Sequence, residues 1–124
     1  MKPRILVVDD FSDSWHVVSS ILRTHHYQPI WAADSTRAMS EARKFQPAAI
    51  LLDLGLPDRE SFVLLERLKQ NRRLSTIPVV VVAGHDPEMT EQPAREHGAV
   101  AFLQKPLKAD KLIGTIREAL NQKE

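Results

Sequence analysis

The chain has 124 residues, a length typical of one globular domain. Hydrophobic residues make up 43% and charged residues 27%, which excludes an extensively disordered chain. A net charge of +1 gives no sign of a basic nucleic-acid-binding surface, and the absence of cysteine excludes disulfides and thiolate zinc sites.

The first half of the chain alternates short apolar runs with longer amphipathic stretches. The predicted strands are Arg4–Asp9, Gln28–Ala33 and Ala48–Asp53, and the predicted helices are Asp13–His25 and Ser35–Phe45. The first helix has apolar residues at helical spacing, among them Val18 and Leu22, and either Ser12 or Asp13 can cap its start. Pro47 ends the second helix.

The second half continues the same alternation. The predicted helices are Glu60–Asn71, Pro87–His97 and Ala109–Leu120, and the predicted strands are Pro78–Ala83 and Ala99–Leu103. Gly98 is placed to cap the fourth helix, whereas Pro93 lies inside that helix and removes one of its hydrogen bonds. We therefore expect the fourth helix to be short, kinked or mobile.

This order of elements predicts one α/β domain over residues 1–124. Nearly continuous apolar strands indicate a parallel sheet that is covered by helices on both faces. Right-handed crossovers favour a flavodoxin-like, doubly wound (βα)5 fold with the strand order 2-1-3-4-5. In such a sheet the functional site lies beyond the carboxyl ends of the strands, where the winding reverses.

Acidic residues end the two strands that should be neighbours at this position. Asp9 and Asp10 end the first strand and Asp53 ends the third, so we expect three carboxylates to converge. Close carboxylates repel one another and attract a hard cation such as Mg²⁺. A carboxylate beside that ion can attack phosphorus, and Lys105, just before Pro106, can neutralise the site. Any single aspartate could instead form a turn or cap a helix, but the combination favours a functional site.

Three segments of the chain resemble motifs of response-regulator receiver domains of two-component systems, especially single-domain chemotaxis regulators. They are ILVVDDFSDS at the start, LLDLGLPDRESFVLLERLK in the middle and GAVAFLQKPL near the end. The resemblance covers essentially the whole chain in the right order. It implies a signalling module that takes a phosphoryl group from a histidine kinase or a phosphotransfer protein.

The resemblance also implies a role for each matching residue. Asp53 is expected to be the phosphoacceptor, and Lys105 is expected to contact both Asp53 and the phosphoryl oxygens. The peptide bond between Lys105 and Pro106 is expected to be cis. Asp9 and Asp10 are expected to hold Mg²⁺, one directly and the other through water, with Asp53 and the backbone carbonyl near Gly55 as further ligands.

The chain departs from the receiver pattern at several positions. Ala83 stands where receivers carry the Ser or Thr that bonds the phosphoryl group, whereas Phe102 matches their aromatic switch. Ser61 replaces the usual glycine after the phosphoacceptor loop, so we expect that loop to be rebuilt. Gly55 and His85 occupy the two positions that tune dephosphorylation in the family. These departures predict intact phosphate chemistry with an atypical switch.

Two other functions remain to be distinguished from the phosphoacceptor. A pseudo-receiver, which binds partners without phosphate, is favoured by Ala83 and opposed by the complete acid and lysine set. An aspartate-nucleophile phosphatase would need a second aspartate where Gly55 stands, so we do not expect an enzyme that acts on a separate substrate. Trp15 and Trp31 are interpreted as packing residues.

The expected partners are a kinase or phosphotransfer protein and an output protein or fused domain whose identity the sequence leaves open. We expect no contact with nucleic acid or membrane through this domain. The longest apolar runs, Ile50–Leu52 and Val79–Ala83, are far shorter than a membrane span, and the N-terminal run stops at two aspartates. We therefore expect a soluble, cytoplasmic protein.

Overall fold

Runs rich in valine, isoleucine and leucine form the strands of one parallel sheet. The computed structural model of the protein describes residues 2–56, 60–84 and 87–121, except for the side chains of residues 87–89. The strands are β1 (Arg4–Val8), β2 (Gln28–Ala32), β3 (Ala49–Asp53), β4 (Val79–Ala83) and β5 (Ala101–Gln104). Their order is β2-β1-β3-β4-β5 with parallel neighbours, which confirms the predicted flavodoxin-like arrangement.

Helices follow the strands and cover both faces of the sheet. Within the described residues they are α1 (Ser12–Thr24), α2 (Ser35–Phe45), α3 (Glu60–Gln70), α4 (Pro87–Glu96) and α5 (Ala109–Asn121). Helices α1 and α5 share one apolar cluster with the sheet, and α2, α3 and α4 share the other. No helix in this part of the chain is both long enough and apolar enough to cross a membrane.

Alternate residues of each strand enter the two apolar clusters. In β1, Val7 belongs to the cluster beneath α1 and α5, whereas Leu6 and Val8 belong to the other one. Because all three side chains are almost completely buried, a strand of this kind has no polar face. The two-sided burial therefore explains why the strands are continuous apolar runs rather than alternating ones.

The start of α1 differs from the prediction. Neither Ser12 nor Asp13 caps the helix, because Phe11 occupies the N-cap position and no side chain caps it. The Phe11 N–H is donated to the Asp9 carboxylate at 2.9 Å, which turns the chain directly after β1. The Phe11 carbonyl then accepts the Trp15 N–H at 3.2 Å, so the helix begins one residue early.

The connection from α4 to β5 also differs from the prediction. β5 begins at Ala101 rather than Ala99, because the Ala99 N–H is still bonded to the Ala94 carbonyl of α4 at 3.0 Å. Gly98 has a φ of 107°, which matches its predicted role at the end of α4. The helix itself runs through Pro93 to Glu96.

Gly98→Ala is expected to lower the free energy of unfolding by roughly 1–2 kcal/mol, because an L side chain is strained at this positive φ. A Cβ at this position would also lie 2.8 Å from the Lys69 Cγ. Urea denaturation measures the change. Gly114→Ala is the matched control, since Gly114 lies in α5 with open space around it, and alanine there should stabilise the helix. Equal stability of the Gly98→Ala variant and the wild type would contradict the argument.

Candidate functional site

The register of the sheet brings Asp9, Asp53 and Lys105 to one edge. Val8 is level with Leu52 in the β1–β3 pair, so Asp9 follows β1 beside Asp53, the last residue of β3. Lys105 follows β5 at the same edge and reaches across β4 to Asp53. The carboxyl ends of three strands thus meet where the winding of the sheet reverses.

Both carboxylate oxygens of Asp53 are engaged. Its Oδ1 accepts the backbone N–H of Gly55 at 2.7 Å, and its Oδ2 lies 2.8 Å from the Lys105 Nζ. The Asp53 side chain is only 8% exposed, whereas the Lys105 side chain is 36% exposed. A buried carboxylate is therefore oriented by a short local bond and neutralised by a lysine that still reaches solvent.

Asp9 lies buried beside this pair. Burial, together with the negative charge of Asp53, raises the pKa of Asp9 to about 6, although the Phe11 N–H and the Lys105 charge act in the opposite direction. The two neighbouring carboxylates therefore repel each other at neutral pH, and one lysine compensates only part of their charge. Such a pair favours the binding of a cation or a proton.

Asp10 and Gly55 are more exposed than Asp9 and Asp53. The Asp10 side chain is exposed, and no three aspartate, glutamate or histidine side chains among the described residues are arranged as a ready metal site. The structure thus brings two of the three predicted carboxylates together and leaves the third at the surface. Gly55 is also exposed, and a Cβ there would lie 3.0 Å from the Asp53 Oδ1.

The ends of β4 and β5 form the other wall of the site. The Ala83 carbonyl accepts the Lys105 N–H at 2.9 Å, and the Lys105–Pro106 peptide bond is cis. Ala83 is buried and offers the site only a methyl group. Phe102 is half-buried and packs against the apolar cluster beneath α2, α3 and α4.

A cavity of about 560 Å³ adjoins Asp53 on the α1 side of the sheet. Its lining includes Lys105, Leu107, the α1 N-cap residue Phe11 and the α1 residue Val17. Phe11 is 56% exposed and Val17 is 57% exposed, an unusual degree of exposure for large apolar side chains beside a polar site. The acid cluster is therefore bordered by an accessible apolar surface.

Two side-chain donors to the site were not predicted from the sequence. The Trp31 Nε1–H is donated to the backbone carbonyl of Asp9 at 2.8 Å, and the Ser61 hydroxyl to the backbone carbonyl of Asp53 at 2.7 Å. From the sequence alone, Trp31 is expected only to pack against its neighbours. Ser61 stands where receivers usually carry glycine, and this departure indicates a special role for the residue. The hydrogen bond from its hydroxyl to the Asp53 carbonyl cannot be predicted, because it depends on how α3 packs on β3.

Two sequence features lie outside the described residues. His85, predicted to tune dephosphorylation, is one of them, and the loop of residues 57–59 between β3 and α3 is the other.

The chain is similar to known proteins along nearly its whole length. The family model "Response regulator receiver domain" matches residues 5–117. The chain is 31% identical to the transcriptional regulatory protein KdpE of Staphylococcus aureus, covering 94% of this chain and 49% of that protein. It is 29% identical to the protein PilH of Pseudomonas aeruginosa, covering 94% of this chain and 97% of that protein.

A solved structure shows the same fold. The response regulator receiver domain protein (CheY-like) from Methanospirillum hungatei superposes with a TM-score of 0.89 at 26% identity, covering 99% of this chain and 97% of that one. The chain thus spans about half the length of KdpE and nearly all of the length of PilH.

Proposed function

We propose, since the chain belongs to the family of response regulator receiver domains, that it accepts a phosphoryl group on Asp53 and transmits the signal through protein contacts. The observation that carries the proposal is the pairing of a buried Asp53 carboxylate with Lys105 at 2.8 Å. A carboxylate held at this edge can attack phosphorus from a fixed direction.

In the proposed transfer, an Asp53 carboxylate oxygen forms a bond to phosphorus. The phosphorus–nitrogen bond of the donor phosphohistidine breaks, and the imidazole nitrogen leaves with the electron pair. The Lys105 ammonium, already bonded to the Asp53 Oδ2, offsets the negative charge that the phosphoryl oxygens bring. The Gly55 N–H restrains the other carboxylate oxygen.

The donor set suits Mg²⁺. Asp9 and Asp53 are close enough to repel each other, and their oxygens are hard ligands of the kind that Mg²⁺ prefers. We propose that Asp9, Asp10 and Asp53 hold the ion together with the Gly55 backbone carbonyl. When bound, Mg²⁺ supplies positive charge for the phosphoryl oxygens.

The apolar surface next to Asp53 supports a protein as the phosphoryl donor. Phe11 and Val17 line the cavity, and both remain exposed although they are large and apolar. We propose that a histidine kinase or phosphotransfer protein covers this surface while its phosphohistidine reaches Asp53. The role is that of a signalling module, without a separate substrate to turn over.

The proposed switch is atypical because of Ala83. A hydroxyl at the end of β4 would bond the phosphoryl group, whereas the buried Ala83 methyl cannot. The neighbouring Phe102 packs on the sheet without a hydroxyl of its own. We propose that phosphorylation shifts the α4–β5–α5 face only weakly.

Ala83 also favours a second candidate, a phosphate-independent pseudo-receiver that binds partners through the same surfaces. The buried Asp9 and Asp53 weigh against it, because two repelling carboxylates and a paired lysine serve no evident structural purpose.

The phosphoacceptor is tested by intact mass measurement after incubation with Mg²⁺ and a small acyl-phosphate donor. We expect a phosphoryl adduct on the wild type and none on Asp53→Asn or in the presence of a chelator. Asp110→Asn, an exposed aspartate at the start of α5, is the control and should form the adduct. If the wild type forms no adduct and does not bind a stable phosphoryl mimic, the pseudo-receiver takes the place of the phosphoacceptor.

A further inference from the structure

Two side chains are hydrogen-bonded to the backbone of the acid site. Each donates to the main-chain carbonyl of a buried aspartate: Trp31 to Asp9 at 2.8 Å and Ser61 to Asp53 at 2.7 Å. The first donor belongs to β2 and the second to α3. The backbone behind both carboxylates is therefore held from opposite faces of the sheet.

Trp31 is itself fixed in place. Its ring stacks on the Trp15 ring of α1, with centroids 5.4 Å apart and an angle of 6° between the planes. The Asp9 N–H is also bonded to the Ala32 carbonyl at 3.1 Å. Both polar backbone groups of Asp9 are thus bonded to β2, one through the main chain and one through the indole.

The Trp31 bond also bears on Asp10. The Asp9 carbonyl and the Asp10 nitrogen belong to one planar peptide unit, so the direction of that carbonyl sets where the Asp10 Cα lies. The Asp10 side chain is exposed, and no ion pair or side-chain acceptor bond is found for it in the described part of the chain. The orientation of this peptide therefore controls how readily the exposed carboxylate reaches the two buried ones.

Ser61 acts on Asp53 in the same way. It is almost completely buried in the first turn of α3, eight residues beyond the phosphoacceptor strand end. Its bond to the Asp53 carbonyl ties α3 to the peptide that leads toward Gly55. The Gly55 N–H is in turn bonded to the Asp53 Oδ1, so the hydroxyl restrains the turn that orients the carboxylate.

We propose that Trp31 and Ser61 are positioning residues that hold the carboxylates of the acid site ready for a divalent cation. The inference rests on the Mg²⁺ site of the proposed function. Without these bonds, the cation would have to order the β1–α1 and β3–α3 turns as it binds. The free energy needed for this ordering would weaken the binding of the cation.

The test compares the Mg²⁺ dissociation constants of Trp31→Phe and Ser61→Ala with that of the wild type. Phenylalanine keeps an aromatic ring for the stack but has no N–H. We expect each dissociation constant to rise roughly 3- to 10-fold, the range of one lost hydrogen bond. The Gly55 amide shift in a ¹H–¹⁵N NMR titration reports binding, and the same spectra report folding.

Trp15→Phe and Ser19→Ala are the matched controls. Trp15 is the other ring of the stack, and phenylalanine there keeps an aromatic ring against Trp31, which retains its own N–H for the Asp9 carbonyl. Ser19 is a buried serine whose hydroxyl bonds the His16 carbonyl within α1 at 3.2 Å. We expect both controls to lose stability without changing the Mg²⁺ dissociation constant by more than about twofold. If Ser61→Ala does not fold, Ser61→Gly, which carries the residue usual in receivers, replaces it as the variant without the hydroxyl.

The outcomes separate this inference from the function on which it rests. Mg²⁺ binding in the wild type with the same dissociation constant in Trp31→Phe and Ser61→Ala would overturn the positioning role alone. A wild type whose Gly55 amide does not respond to Mg²⁺ would overturn the metal site of the proposed function and this inference with it.

Discussion

Asp9→Asn is expected to raise the free energy of unfolding at pH 7 by roughly 2–3 kcal/mol when divalent cations are removed. Burial and the Asp53 charge raise the pKa of Asp9 to about 6. The folded state therefore binds a proton more tightly than the unfolded state, and ionisation of Asp9 costs stability. Asparagine removes the charge and keeps an oxygen that can accept the Phe11 N–H.

The pH dependence gives this prediction its sign. Well below pH 3.8 the carboxyl group of Asp9 is protonated in both the folded and the unfolded state, so the wild type and Asp9→Asn should be equally stable. The stability of the wild type should then fall relative to that of the variant as the pH rises from about 3 to about 7, through both pKa values, and the difference should stay constant above about pH 7. Urea denaturation at several pH values measures the difference.

Asp10→Asn is the control for the charge change. Its side chain is exposed, so we expect it to change stability by less than about 1 kcal/mol. Added Mg²⁺ should stabilise the wild type more than Asp9→Asn and so narrow their difference at pH 7. A wild type as stable as Asp9→Asn at pH 7 in chelator would refute the raised pKa of the buried Asp9 carboxyl group.

Ala83→Thr is expected to strengthen the binding of a stable phosphoryl mimic, such as beryllium trifluoride, roughly ten- to a hundredfold in the presence of Mg²⁺. The added hydroxyl would lie at the end of β4, level with the residue before Lys105. A hydrogen bond to a charged phosphoryl group contributes about 1.5–3 kcal/mol. Isothermal titration calorimetry of the mimic measures the gain.

Ala83→Val distinguishes the effect of the threonine hydroxyl from the effect of a larger side chain. Valine has nearly the shape of threonine, so both variants crowd this buried position equally, but valine cannot donate a hydrogen bond. We expect Ala83→Val to bind the mimic no more tightly than the wild type. Equal gains in the two variants would mean that packing, rather than a hydrogen bond to the phosphoryl group, limits the site.

Much of the fold could be predicted because the relevant signals are local. The β3 run ending in Asp53 is apolar throughout, so its two-sided burial is evident from composition. Neighbouring parallel strands end at one edge, and this geometry brings Asp9, Asp53 and Lys105 together once the strand order is known. The depth of each carboxylate was not predictable, since Asp9 is buried while Asp10, the next residue, is exposed.

The features that could not be predicted depend on contacts between distant elements. The Trp31 bond to Asp9 spans 22 residues and requires β2 to lie beside β1 with a particular indole rotamer. The start of α1 depended on the Asp9 carboxylate taking the Phe11 N–H, an interaction that competes with the usual serine or aspartate cap. Neither follows from residue type or periodicity.

The stacked pair of Trp15 and Trp31 determines what optical spectroscopy can observe in this protein. These are the chain's only two tryptophans, so nearly all of its tryptophan emission comes from one place, between α1 and β2 and next to the Asp9 carbonyl. Emission therefore follows the environment of the acid site directly, without a label. The half of the molecule around α3 and α4 contains no such chromophore, and its loosening must be followed by circular dichroism or by amide hydrogen exchange.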